Sequence, residues 1–582
     1  MKNRFKKLKI FVVIISIAIS AFVSSAFVDN YFEISKNIDI FTTLFREINL
    51  YYVDEVKPGE IIKKGIDSML EALDPYTNYI PETDIEDYRF MTTGQYGGIG
   101  ALVRKKGDYI AIAEPYEDSP AVKAGLMAGD LILEVEGKSI KGKNTEDVSK
   151  MLKGQSGTQV KILIERPGEQ KPIEKIITRQ EIKIKSVPYF GVIKDDVGYI
   201  RLTQFTENCS KEVKAAFDEL KTKNNVKSII LDLRGNPGGL LHESINIVNL
   251  FVDKGVDVVS TKGKVQEWNK TYKALNVPVD VNIPVVVLIN RGSASASEIV
   301  SGSIQDLDRG VVLGQRSYGK GLVQTTRDLV YNSKLKVTTA KYYVPSGRCI
   351  QALDYTHRNK DGSVGKIPDS LVTKFKTKNG RVVFDGGGIN PDITTNIKEW
   401  SKIAFSLEAK SHVFDFATNY RLKNPTISNA KEFRLTDAEY ADFVAFVKDK
   451  DYDYVTATDR LLKDLKQTAE KEKYFEAAAK EYEALKTKMM HNKNDDLITF
   501  KTEIKELLEQ EIVSRYYLQK GKLENNLQKD NDVKRAIEIL NDKKFYTDIL
   551  TGKYIEPAKT EVTTIKNSNN DEQEEQPAFD GE

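Results

Sequence analysis

Hydrophobic positions change their period several times along the 582 residues, and each change predicts a different kind of structure. An uncharged run from Ile10 to Val28 comes first. From Asp29 to about Thr93 the spacing is helical, with Ile62, Ile66, Met69, Leu70 and Leu73 placed to share one buried face, and the turn LDPYTNYIPE at 73–82 interrupts it. Between Gly94 and about Gln180, short β-rich runs such as YIAIAEP and VKILIER alternate with glycine-bearing turns, and a short helix is expected after Asn144. Strand and helix then alternate: Val197 to Thr203, a helix with Val213, Phe217 and Leu220 on one face, the apolar strand SIILDL at 228–233 and IPVVVLIN at 283–290, with more strands between Gly310 and Tyr343. That order predicts a parallel sheet covered on both sides. From about Glu399 to Tyr554 the pattern is helical again, with Tyr474, Ala478, Tyr482 and Leu485 on one stripe and Ile504, Leu508 and Ile512 on another. These stripes suit bundle or assembly surfaces better than chemistry.

The shifts divide the chain into six segments: a signal peptide or membrane anchor (1–28), an N-terminal helical segment (29–93), a β-rich module (94–182), an α/β core (183–397), a helical region (398–557) and a polar, acidic tail (558–582) expected to be disordered. Lys2, Arg4, Lys6, Lys7 and Lys9 precede the 19-residue apolar run, and Ser24 and Ala26 offer small residues for a signal peptidase. The run is also near the lower limit for a bilayer span, so a cleaved signal and an uncleaved anchor both remain open. Either places the rest outside the cytoplasm, in the periplasm or cell envelope.

A formal net charge of +2, with no basic stripe, gives no reason to expect a nucleic-acid partner. Two cysteines, Cys209 and Cys349, cannot form a disulfide framework, although one bridge between them is open.

Chemistry concentrates at glycine- and serine-rich turns. In VLINRGSASASEIVSGSIQD an apolar strand gives way to small residues and then to a helix, so a serine stands at a helix N-terminus, where unpaired N–H groups and the helix dipole favour an oxyanion. Ser293, Ser295 and Ser297 could equally serve as caps. Of the histidines at 242, 357, 412 and 491, only His242 is near a glycine turn, and its place on a helix reads as structural. Lys320 in GQRSYGKGLVQ is the better base, because a desolvated lysine gives up its proton more easily. Gly314 to Lys320 also mimics a phosphate loop, but Gly321 replaces the Ser or Thr that loop requires, and strand character follows. The turn DLRGNPGGLL at 232–241 offers Gly238 and Gly239 as donors to an oxyanion, with the Ala296 amide as the second.

Taken together, YIRLTQFTENCSKEV, IILDLRGNPGGLL, VLINRGSASASEIVSGSIQD, LGQRSYGKGLVQ, TTAKYYVPSGRCIQ and GGGINPDI follow the order of the carboxy-terminal processing proteases, also called tail-specific proteases, and over roughly residues 35–395 the chain resembles that family. The resemblance implies a multidomain α/β fold: a crotonase/ClpP-like protease core split around a small β-rich PDZ domain, with N-terminal helices and a mostly helical C-terminal region. It implies Ser295 as nucleophile, Lys320 as base and Gln324 as the residue orienting that lysine, with an oxyanion hole from the NPGG turn and the amide after the serine. It makes the segment 94–182 a PDZ domain in which YGGIGALV stands at the carboxylate-binding position, so that Gly97, Gly98, Ile99, Gly100 and Leu102 would receive an apolar chain terminus. It further implies that this module gates the protease and that Lys153-Gly154 lies near the catalytic cleft. Residues 352–387 are longer than in the family's compact members and suit a flap, and the helices after 399 have no assigned counterpart.

The expected activity is hydrolysis of peptide bonds near free, apolar C-termini of unfolded or tagged exported proteins, through an acyl-enzyme, with no metal or cofactor. Inner-membrane anchoring, self-association through the helices and an adaptor protein stay open as partners. The competing reading is a non-catalytic, PDZ-bearing envelope scaffold. A trypsin-like protease would need a His/Asp pair that the chain does not offer.

Overall fold

The computed structural model describes residues 31–194, 196–489 and 493–555; the apolar run at 10–28 and the acidic tail from 558 lie outside the described residues. Among those described, no helix is long and apolar enough to cross a membrane.

The core is a six-stranded sheet in the order Tyr189–Lys194, Val197–Arg201, Ser228–Asp232, Val285–Ile289, Val311–Gly314, Ile393–Thr394. All neighbours run parallel except the first pair. The strands Ser228–Asp232 and Val285–Ile289 are buried at every residue, as unbroken apolar runs in a two-sided sheet should be. Alternation along the strand still decides which layer each residue meets. Ile229, Leu231, Val285 and Val287 join the layer containing the helices Cys209–Thr222, Leu241–Val248 and Ala296–Asp306. Ile230, Val286 and Leu288 face the other way, onto Val533, Ala536, Ile537 and Leu540 of the helix Asn531–Asn541 and Ile549 of the helix Lys543–Leu550. The end of the helical region therefore covers the second face of the core sheet. An α-helix is apolar on one stripe only, and nothing local to residues 531–550 says which sheet that stripe meets.

A second sheet joins Asn78–Ile80, Lys334–Tyr343, Asp257–Gly263 and Lys270–Lys273 in that order, with Leu322–Asp328 also paired to Lys334–Tyr343. The turn expected at 73–82 thus contributes a strand. The preceding helix, Pro58–Glu71, buries Leu70 and half-buries Ile62 and Ile66, whereas Met69 and Leu73 are 63% and 55% exposed; the expected face forms only in part, because Leu73 lies beyond the end of the helix and Met69 falls off the covered stripe. Of the stripe at 474–485, Tyr482 is buried while Tyr474 and Leu485 are exposed, whereas Ile504, Leu508 and Ile512 are fully buried.

The β-rich module has the strands Ala101–Lys106, Tyr109–Pro115, Leu131–Val135, Gln159–Glu165 and Ile173–Thr178 in sheet order. Its helix Thr145–Leu152 begins as expected, with the Asn144 side chain accepting the Asp147 N–H at 2.8 Å. The module leans on the C-terminal helices: Lys106 pairs with Asp415 at 2.6 Å, and the Arg104 guanidinium lies 4.7 Å from the centre of the Phe414 ring.

Residues 352–387 form two hairpins, Leu353–Arg358 with Val364–Lys366 and Lys374–Lys376 with Val382–Phe384. Arg381 ties the second to the core through Asp308 and Asp392, at 2.6 and 2.5 Å. Cys209 and Cys349 are both free, so the bridge left open by the sequence does not form.

Candidate active site

Ser295 is the N-cap of the helix Ala296–Asp306, every residue of which is buried. Its backbone has φ +54° and ψ −110°, a conformation that costs a non-glycine residue on the order of 1–3 kcal/mol and persists only where the surroundings impose it. The flanking serines are engaged elsewhere. Ser293 donates its hydroxyl to Leu233 O at 2.8 Å and Ser297 to Asn236 O at 2.9 Å, which fastens both to the glycine turn.

That turn presses on Ser295. Gly238 has φ +99°, and a Cβ on it would lie 2.8 Å from the Ser295 Cβ and 2.9 Å from the Ala296 nitrogen, so only glycine fits. Asn236, fully buried, welds the two loops: its carbonyl accepts the Ala294 N–H at 3.0 Å, and its Oδ1 accepts the Gly238 N–H at 2.9 Å. The Gly238 amide is thereby occupied. Among the described residues the N–H groups of Gly239 and Ala296 have no hydrogen-bond partner, leaving these two as the available oxyanion donors.

The loop carrying Lys320 is attached by one carboxylate. Glu298, fully buried, accepts the Ser295 N–H at 2.8 Å and the Lys320 N–H at 2.9 Å on Oε2, and the Ser317 hydroxyl at 2.5 Å and Gly319 N–H at 2.7 Å on Oε1. Burial pushes its pKa up to about 7 against these hydrogen bonds, which favour the charged form. Gly321 donates its N–H to Gln351 Oε1 at 2.7 Å, completing the seat of the lysine loop.

The Lys320 side chain is largely buried, and burial, with the charge of Lys336 as a smaller cause, lowers its pKa to about 8. Its amine sits 4.1 Å from the centre of the Tyr76 ring. Asp74 fixes that ring's backbone, accepting the N–H groups of Tyr76 and Thr77, both at 2.9 Å. Tyr355 of the inserted hairpin meets Tyr76 edge-on at 6.1 Å. Gln324, expected beside the lysine, donates instead to Thr338 Oγ1 at 3.2 Å, its cross-strand neighbour.

The backbones of Ser295 and Lys320 therefore meet at Glu298, beside the glycine turn and Ala296, while the Lys320 amine lies over Tyr76 and Gln324 points to another partner. Sequence reasoning missed Glu298, Asn236 and Tyr76. Glu298 stands three residues after Ser295, the capping-box spacing, and was open to detection on that ground. Asn236 and Tyr76 carried no signal beyond their turns. His242 is exposed on its helix, 3.3 Å from Glu243.

At the β-rich module, Gly97 and Gly98 pair with Glu181 and Gln180, and Gly97 O accepts the Gly154 N–H at 3.0 Å. Among the described residues the N–H groups of Ile99 and Gly100 lack a partner. The strand that follows, which carries Leu102, is paired on one side only, and its other edge approaches the helix Thr145–Leu152. Lys153 pairs with Asp87 at 3.0 Å.

Fold and site together define a serine-type peptidase carrying a PDZ module. The chain matches the family described as "Peptidase family S41" over residues 196–357, a "PDZ domain" over 112–166 and "Probable PDZ-protease, C-terminal helical domain" over 403–540. It is 39% identical over 324 residues to a carboxy-terminal-processing protease of Bartonella bacilliformis, covering 55% of this chain and 74% of that one. It is 35% identical over 396 residues to a probable CtpA-like serine protease of Staphylococcus aureus, covering 66% of this chain and 76% of the relative. Among solved structures, a photosystem II D1 C-terminal processing protease aligns at 29% identity over 61% of this chain and 86% of its own, with a TM-score of 0.33. The chain belongs to the carboxy-terminal-processing proteases of peptidase family S41.

Proposed function

We propose that this chain hydrolyses peptide bonds near the free, apolar C-termini of unfolded or tagged exported proteins, using Ser295 and Lys320. Neutral Lys320 takes the Ser295 proton, and the alkoxide adds to the peptide carbonyl. The oxyanion is held by the Gly239 and Ala296 amides; its collapse breaks the C–N bond as Lys320 passes its proton to the leaving amine, and water, deprotonated by the again neutral Lys320, resolves the acyl-enzyme. The observation that carries this reading is the shared carboxylate: Glu298 Oε2 accepts the backbone N–H groups of both Ser295 and Lys320, so a desolvated amine with pKa about 8 and a strained helix-cap serine belong to one buried unit. With that pKa about a tenth of the lysine is neutral at pH 7.

The contacts of Lys320 with Tyr76 and of Gln324 with Thr338 support a resting arrangement. In the working arrangement both side chains leave those partners, and Gln324 orients the amine. A terminus entering the PDZ groove, with its carboxylate on the Ile99 and Gly100 amides and its last side chain near Leu102, moves the module off the helix bearing Asp415 and completes the site. Export by the segment 1–28 brings the enzyme to its substrates in the periplasm or envelope. The two-sided parallel sheet supports a core of the crotonase/ClpP-like kind.

The test is hydrolysis of a denatured protein with an apolar tail by the wild type, Ser295→Ala and Lys320→Ala. Both variants should be inactive yet folded; activity in either refutes the pair.

A further inference from the structure

Arg234 lies in the same turn as the oxyanion glycines, and three carboxylates surround its guanidinium. Asp232, at the end of the core strand, meets Nη2 at 2.6 Å. The other two come from the far end of the chain. Asp530 accepts from Nη1 and Nη2 at 3.1 and 2.7 Å, and Asp532 from Nη1 at 3.0 Å. Arg234 is 16% exposed and each of these two aspartates 12%. Asp232 also receives Arg201 at 2.7 Å and the Tyr199 hydroxyl at 2.6 Å. Burial alone would raise its pKa, but Arg201 and Arg234 outweigh burial and hold it low.

From Arg234 the backbone reaches the glycines in a few residues. Gly235 donates its N–H to Asn290 Oδ1 at 2.7 Å, and Asn236 ties the next stretch to Ala294 and Ser297. The turn is thus fixed on one side by the nucleophile loop and on the other by carboxylates of the C-terminal helix. Fastening that helix does not need them, because Val533, Ala536, Ile537 and Leu540 already bury an apolar face against the sheet. Buried ion pairs are a weak source of stability, whereas a guanidinium held on both terminal nitrogens has a fixed position and direction.

We propose that Asp530 and Asp532 are positioning residues of the peptidase site, acting through Arg234 to hold the Gly239 amide where the oxyanion forms. The C-terminal helices are then a working part of the active site. This inference rests on the Ser295 reading above.

The test uses the full chain with Asp530→Asn and Asp532→Asn combined. Asp530 also caps its helix, accepting the N–H groups of Asp532 and Val533 at 2.9 and 3.1 Å, and asparagine caps as well, so the change removes charge and spares the helix. Hydrolysis of a denatured protein substrate and labelling of Ser295 by a fluorophosphonate are measured for wild type, Ser295→Ala, the double variant and Asp530→Glu. Every assay is run below the variant's own unfolding midpoint. The expected result is a fall in kcat of at least about tenfold with KM within about twofold, labelling slowed in parallel, and Asp530→Glu within about threefold of wild type. An unchanged kcat, a rise in KM alone, or a double variant that does not fold overturns the proposal. An inactive wild type or an active Ser295→Ala overturns the peptidase reading, and this proposal with it.

Discussion

The backbone amides of Ser295 and Lys320, 25 positions apart in the chain, donate to the same oxygen of Glu298, at 2.8 and 2.9 Å. The proposed nucleophile and base thus share one buried anchor, and moving either loop disturbs the other.

That anchor should be sensitive to loss of one acceptor. Glu298→Gln keeps the volume but replaces an accepting oxygen with an NH₂, which faces either the Ser317 and Gly319 donors or those of Ser295 and Lys320. Leaving buried donors unpaired costs about 1–3 kcal/mol, and hydrolysis should fall together with the thermal midpoint. Calorimetry and an activity assay check this; a variant with wild-type stability and rate would show that the shared carboxylate is dispensable.

The proposed role of Lys320 as base sets a pH dependence. Burial, and then Lys336, lower its pKa from 10.5 to about 8, so the competent neutral form grows as pH rises through that value. kcat/KM should climb about tenfold per unit below it and level off above. Lys336→Gln removes the repelling charge and should move the midpoint upward, reducing the rate at neutral pH. A profile that is flat between roughly pH 6 and 9 would argue against a lysine base.

Tyr76 pulls the other way. Its ring face, 4.1 Å from the amine, favours the charged lysine by about 0.5–1 kcal/mol. Tyr76→Leu keeps an apolar cover and removes that attraction, so the pH midpoint should drop by roughly half a unit and the rate at pH 7 should rise a few-fold. A slower enzyme with an unmoved midpoint would mean that the ring serves the reaction and not the resting arrangement.

Gly239 is predicted to matter for rate more than for substrate affinity. It has φ +145°, and a Cβ there would stand 2.3 Å from Phe205 O, so Gly239→Ala must shift the turn and its amide. Loss of one oxyanion donor lowers kcat by about 10²–10³-fold. Single-turnover acylation should slow by that order while binding of a tail peptide to the PDZ module stays as in the wild type; a change in binding alone would relocate the role of this turn.

The sequence determined what depends on neighbours along the chain. The unbroken apolar strands, the glycine turns and the helix after Ser295 were legible because period, turn chemistry and capping act over a few residues. Ser295 and Lys320 were singled out on the same local grounds, each at a turn where glycines admit close approach. Tertiary structure decided the rest. Only packing could bring Tyr76 over Lys320 or direct Gln324 to Thr338 across a strand pair. Only packing could lay Asn531–Asn541 on the core sheet and pair its first turn with Arg234, nearly 300 residues earlier. The physical reason is that an apolar stripe or a carboxylate states what kind of partner it needs, while the identity of that partner is fixed by which surfaces the folded chain brings together.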